Sequence, residues 1–288
     1  MTLLLPAPPS FNYFLTNEDS PASASTYGTL VTASGTTHTK GTWVAVHSTI
    51  SYDLYLHDIV ISAGGTGNAS VKNLIDLGIG PDASNVTVKV ENLSGCNTGS
   101  TGASAGFFSG GRSYMQIPLY VPAGTQLWAR SQSNVSAKTV RISVNSWGAP
   151  DHPESFPKIG YIESLGENLA TTAGVSLTPG SSGTLGTSTS LGGGFANDVC
   201  AVFMGPSSDA STMAAVGYVG ALTTDATATV QELGICCTMN GNASEEVRVS
   251  ASVIWADIPA GQTMGARLSC TGTPDATMWV IVYGCVRA

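Results

Sequence analysis

Four histidines, His38, His47, His57 and His152, are the side chains of this chain best suited to moving protons near neutral pH. His47 and His57 lie close in sequence to Asp53, Asp58 and Asp76, a composition that suits an acid–base or metal-binding set. Spacing weighs against such a set. Asp53 and His57 fall on one face of an extended Ser51–Ile61 segment, but four strand residues hold them about 13 Å apart. The expectation is polar residues on a solvated strand face. Gly102-Ala103-Ser104-Ala105-Gly106 matches the G-x-S-x-G nucleophile elbow in form. That motif needs a sharp strand-to-helix turn with acid and histidine following, whereas here a Gly/Ser-rich loop surrounds it and only His152 lies downstream.

The cysteines are Cys96, Cys200, Cys236, Cys237, Cys270 and Cys285. Cys236 and Cys237 are adjacent, so on a strand they point to opposite faces, and no Cys-x-x-Cys occurs. Six buried free thiols are expected. No Walker A sequence, dinucleotide fingerprint or EF-hand loop is present, and the carboxylates are too dispersed for a glycosidase pair. The sequence therefore offers no catalytic, cofactor-binding or metal-binding residues. Five Asn-x-Ser/Thr tripeptides carry no weight in a chain with 34 serines and 32 threonines.

The chemistry that remains is contact. Phe11, Tyr13 and Phe14 sit together in an N-terminal stretch that cannot bury them alone, which points to an arm docking on another chain. Phe107, Phe108 and Tyr114 sit in or beside a loop otherwise rich in Gly, Ser, Thr and Ala. An outward phenylalanine there would meet a neighbouring subunit or the face of a sugar, or both could cap the sandwich.

Only 10% of the 288 residues are charged, and the net charge is −8. Lysines stop at Lys158, and only Arg248, Arg267 and Arg287 are cationic beyond it. With no cationic cluster to displace counterions, nucleic acid is not an expected partner. No apolar run approaches the roughly 18 residues of a membrane span. The first residues lack the basic and apolar regions of a secretion signal, so synthesis and assembly in a cytosol are expected.

Short β-branched and aromatic runs, including Trp43–Val46, Ile117–Val121, Arg141–Val144 and Met278–Tyr283, alternate with Gly, Pro, Asn and Ser clusters. This rhythm is that of β-sandwiches and barrels. Ile162–Thr172 and Ser208–Val219 could hold one or two helical turns. An internal repeat is also visible. Thr26–Thr32 resembles Thr172–Thr178, Val121-Pro122-Ala123-Gly124 resembles Ile258-Pro259-Ala260-Gly261, and Ala129-Arg130 resembles Ala266-Arg267. Val140–Val144 lines up with Met278–Val282, Trp43–Val46 with Val199–Val202, and Leu77–Ile79 with Leu233–Ile235. Proline fixes φ and glycine supplies positive φ, so each Pro-Ala-Gly predicts a tight turn. The reading is all-β: two tandem, duplicated jelly-roll-like sandwiches at 26–149 and 172–288, an arm at 1–25 and a link at 150–171.

Two stretches carry a family resemblance. Tyr27–Val46 (Tyr-Gly-Thr-Leu-Val-Thr-Ala-Ser-Gly-Thr-Thr-His-Thr-Lys-Gly-Thr-Trp-Val-Ala-Val) and Ile117–Ser131 (Ile-Pro-Leu-Tyr-Val-Pro-Ala-Gly-Thr-Gln-Leu-Trp-Ala-Arg-Ser) resemble virion structural proteins of tailed bacteriophages. The second half departs by lacking Trp where the first has Trp43 and Trp128. The resemblance implies a non-enzymatic subunit of the particle surface, a capsid decoration or a fibre or spike component. Its expected partners are itself, as a homotrimer or other homo-oligomer, and capsid, tail or baseplate proteins. The alternative is a tail-tip module that binds a receptor or a host surface glycan.

Overall fold

The computed structural model describes residues 13–17, 28–63, 71–97, 112–149, 157–181, 183–208, 216–224, 232–241, 248–271 and 278–288. Every regular element among them is a strand. The first half supplies β1 (Tyr13–Thr16), β2 (Thr29–Thr32), β3 (Val44–His47), β4 (Leu54–Ala63), β5 (Val71–Gly80), β6 (Thr87–Asn97), β7 (Arg112–Ile117), β8 (Gln126–Ser133) and β9 (Thr139–Gly148). The second supplies β10 (Ile159–Leu165), β11 (Val175–Leu177), β12 (Thr189–Ser190), β13 (Val199–Ser208), β14 (Val216–Thr223) and β15 (Glu232–Gly241). It closes with β16 (Arg248–Ala251), β17 (Ile254–Ile258), β18 (Gly265–Cys270) and β19 (Met278–Arg287).

In the first half, one layer runs β1-β9-β4-β7, with β2 also on β9, and the other runs β6-β5-β8-β3. That is the order of a jelly roll. The second half repeats it strand for strand. β10 and β11 pair with β19 as β1 and β2 pair with β9. β13 pairs with β19 as β4 pairs with β9, and β14 lies between β15 and β18 as β5 lies between β6 and β8. Register agrees as well: Val44 faces Ala129 across β3 and β8, and Thr189 faces Ala266 across β12 and β18.

Turn chemistry repeats with the strands. Gly124 and Gly261 have φ of 81° and 76°, as the Pro-Ala-Gly turns require. In both turns an aspartate carboxylate takes the alanine N–H: Ala123 donates to Asp53 (2.8 Å) and Ala260 to Asp198 (2.7 Å). Gly28 and Gly174 are equivalent too. A Cβ on either would meet the backbone of the strand beside it, at Ile142 or at Val280.

Several expectations need correction. Tyr13–Thr16, read as part of a detached arm, is a strand on its own chain's β9. Residues 150–171, read as a link, contain β10, whose partners are β19 and β6. The helical candidate Ile162–Thr172 does not form: Ile162–Leu165 is strand and Asn168–Ala173 is closed by turn hydrogen bonds. Of the candidate Ser208–Val219, Ser208 and Val216–Val219 are strand and residues 209–215 lie outside the described residues. Trp43–Val46 lies in or beside β3, whose counterpart is β12, so its match to Val199–Val202 was out of register. Leu77–Ile79 lies in β5 and Leu233–Ile235 in β15, which corresponds to β6. Short aliphatic triplets match by chance in a chain made of strands.

The halves are fused into continuous sheets. The described strands form a ten-stranded and a nine-stranded sheet, and each runs through both halves. The joins are parallel: β7 beside β16, and β6 beside β10. The second half provides the first join by splitting one strand. The chain running through β7 and Val121 stays along β4, whereas its counterpart divides into β16, which joins β7 and β15 in the first sheet, and β17, which stays with β13.

Candidate functional site

The groups with chemical potential fall into three places. The first is inside the first sandwich. His57 Nε2 donates to the Leu119 carbonyl (3.0 Å), which leaves Nδ1 to accept from the Ser146 hydroxyl (2.8 Å). Ser146 Oγ also lies 3.4 Å from His47 Nε2. His57 is 1% exposed and His47 is buried beside it, so these are not on the solvated face that the sequence suggested. The inward alternation of β4 puts His57 in the core, and Ser146 on β9 supplies its partner. Burial lowers both imidazoles to about 4, so both rings are neutral at physiological pH. Ser146 and His57 are fully buried, whereas His47 also borders a small pocket beside Leu15, Thr16 and Thr29.

The second place is a charged knot on the other sheet. Asp76 accepts from Lys40 Nζ (2.6 Å), Arg130 Nε (2.8 Å) and the backbone of Asn92 (3.0 Å). Lys40 also donates to the Asn92 side-chain carbonyl (2.8 Å), and the Arg130 guanidinium lies 4.5 Å from the centre of the Trp43 ring. Burial pulls the Lys40 amine below its usual range, and Asp76 opposes that. The knot ties the loop before β3 onto β5 and β8. The looser grouping of His47, His57, Asp58 and Asp76 does not assemble. Asp58 instead accepts from Gln116 (3.0 Å) at the surface.

The third place is the outward face of β1, β9 and β4. Phe14 on β1 is opposite Trp147 on β9, and Trp147 is opposite Leu56 on β4, so three large apolar side chains form a row. The Phe14 and Trp147 rings are 5.5 Å apart. Phe14 is 54% exposed, and Leu30 on β2, along the same edge, is 42% exposed. Tyr13 turns inward and stacks on Tyr52 at 4.1 Å, whose hydroxyl donates to the Phe14 carbonyl (3.1 Å). Of the three arm aromatics singled out by sequence, Tyr13 thus fastens the strand to its own sandwich while Phe14 faces out. Phe11, Phe107 and Phe108 lie outside the described residues, as does the side chain of Tyr114.

Sequence reasoning missed two further features. Trp255, 50% exposed, stands on β17, the edge strand of the nine-stranded sheet. A cleft of about 570 Å³ adjoins that strand, with Val199 and Ile258 in its wall and Asp198, Asp257 and Arg287 at its rim. An exposed tryptophan within an alternating run was the available signal. Cys200, Cys270 and Cys285 are buried free thiols, and burial raises the Cys285 thiol. The other three cysteine side chains lie outside the described residues. Among the described residues no group of three His, Cys, Asp or Glu side chains could hold a metal ion.

No family model matches the chain, and no curated protein matches it. Its fold is similar to a solved structure of PNGF-II at 9% identity and a TM-score of 0.37, covering 94% of this chain and 65% of that one. It is also similar to dimeric latent PorU from Porphyromonas gingivalis at 9% identity and a TM-score of 0.25, covering 95% of this chain and 20% of that one. A third is the CBM22-1–CBM22-2 tandem domain of Xyn10C from Paenibacillus barcinonensis. There identity is 12% and the TM-score 0.24, with 96% of this chain and 98% of that one covered. The chain thus spans less than two thirds of the first two.

Proposed function

We propose that this chain is a non-enzymatic structural subunit of a tailed-bacteriophage virion, made in the host cytoplasm and assembled as a homo-oligomer on the particle surface. The observation that carries the reading is the contrast between sealed interior chemistry and a presented sheet face. Asp76 is held by Lys40 and Arg130, and His57 by Ser146 and the Leu119 carbonyl. The large apolar side chains Phe14 and Leu30, by contrast, stand outward on one sheet edge. Two jelly rolls sharing both sheets make a stiff block that can present this face with little internal motion. The sequence resemblance of Tyr27–Val46 and Ile117–Ser131 to virion proteins supplies the context. Quantitative mass spectrometry of gradient-purified particles tests it. A fixed, multiple copy number per particle is expected, and absence from intact particles overturns the proposal.

A second reading, a module that binds a receptor or glycan, draws on Trp255 and the nearby cleft. An indole face can stack on a sugar ring, and Asp198 and Asp257 can accept from its hydroxyls. Calorimetric titration with host surface polysaccharide tests this reading. Trp255→Ala should abolish any heat observed, and no heat with the unaltered protein removes the reading.

A further inference from the structure

The repeat allows a comparison residue by residue. The registers Phe14–Trp147–Leu56 and Ile162–Cys285–Ala201 occupy the same positions in the two halves. In the next row of the face, Asp58 and Asn145 in the first half correspond to Phe203 and Tyr283 in the second. In the second half this outward face is buried. Ile162, Cys285, Ala201, Phe203 and Tyr283 all belong to the core built around the first half. Tyr283 donates its hydroxyl proton to the Asn92 carbonyl of β6 (2.8 Å) and accepts from the Ser94 N–H (2.7 Å). The strand edge is covered as well, since Ile162 of β10 lies in parallel register with Val90 of β6. The fold itself thus shows what fits this face: another half of the same jelly roll, with a strand along its edge.

In the first half the same face and edge have no such cover among the described residues. β1 and β2 have β9 as their partner there. Neither strand carries a charged residue, a proline or a bulge that would discourage pairing. From this correspondence we infer that the outward face of β1, β9 and β4, centred on Phe14 and Trp147, docks a second copy of this chain. The composition of the face sets the kind of contact. Where the buried counterpart around Ile162, Cys285, Ala201 and Phe203 is apolar, the exposed one mixes Phe14, Trp147 and Leu56 with Asp58 and Asn145. Leu30 and Arg141 extend that face to positions held in the second half by the exposed Ser176 and by Trp279. An apolar row with polar neighbours suits a contact formed between separately folded molecules. In a chain of net charge −8, uncharged strands are also where two copies approach without opposing carboxylates.

The inference rests on the reading of the chain as a self-assembling subunit, and the test separates the two. Sedimentation equilibrium of the full chain, from micromolar to near-millimolar concentration, should show reversible association. Phe14→Lys and Leu30→Lys replace exposed side chains, so each should keep its melting temperature while weakening association by at least about tenfold. Trp255→Lys, on the far edge of the other sheet, should associate as the unaltered chain does. A chain that stays monomeric throughout, or lysine variants that associate normally, overturns the inference. In the latter case self-assembly stands and uses another surface. Membership of the virion is read independently, from the purified particles.

Discussion

Tyr283, in the second half, is hydrogen-bonded through one hydroxyl to both Asn92 and Ser94 of the first. Its ring stacks on Phe203 at 4.8 Å, and neither residue is exposed. The bond crosses the join at a point where Asn92 takes a φ of 52°, an unusual conformation for a non-glycine residue. β6 shifts register against β5 at this point, and Asp76 accepts from the Asn92 N–H.

Tyr283→Phe should lower stability by about 1–3 kcal/mol, because the Ser94 N–H and Asn92 carbonyl stay buried without a partner. The halves share core residues, so calorimetry should show one transition that moves as a unit, with equal calorimetric and van't Hoff enthalpies. Two separable transitions would mean that the halves fold independently.

Asp76→Asn should be costlier than any surface charge change. It leaves Lys40 and Arg130, with side chains 17% and 29% exposed, facing each other without a carboxylate. A loss of about 3 kcal/mol in denaturant unfolding is expected. Asp257→Asn breaks only the surface pair with Arg287 and should change stability by less than about 0.5 kcal/mol.

Acid should loosen the first sandwich. His47 and His57 have folded-state values near 4, below the ordinary 6.5, so the unfolded chain takes up protons first. Their contribution is full above pH 6.5 and is lost as pH falls toward 4, by up to about 3 kcal/mol for each ring. Melting temperature measured across that window should fall less steeply in a His47→Gln, His57→Gln double variant. An equal slope would show that these rings do not set the acid response.

Gly28→Ala and Gly174→Ala should both be destabilising, each by more than about 1 kcal/mol. Gly28 has a φ of 70° and a Cβ there would sit 2.6 Å from the Ile142 oxygen, while at Gly174 it would strike the Val280 backbone. Gly35→Ala, in open space, serves as the control in the same thermal melts.

These glycines show what the sequence makes legible. Gly28 with Gly174, and the two Pro-Ala-Gly turns, repeat because backbone geometry admits few substitutes, so they survive where strand residues diverge. Alternating runs likewise gave the all-β sandwich. The joins were not legible, because β7 beside β16 and β6 beside β10 are pairings of distant segments with no local signature. β10 was hidden among prolines, and its role is set by β19. The burial of His47, His57 and Asp76 escaped because their partners, Ser146, Lys40 and Arg130, come from other strands and loops. Phe14 was singled out as a contact residue on a docking arm, whereas the strand that carries it belongs to its own sandwich.

The measurement that bears most directly on the central claim is a cryo-EM map of the purified particle at a resolution that separates strands. Symmetry-related surface copies of two jelly rolls sharing continuous sheets are expected, with the face around Phe14 and Trp147 turned toward a neighbouring protein. Particles that are complete without this chain, or copies whose Phe14 face is turned to solvent with no neighbour, would contradict it.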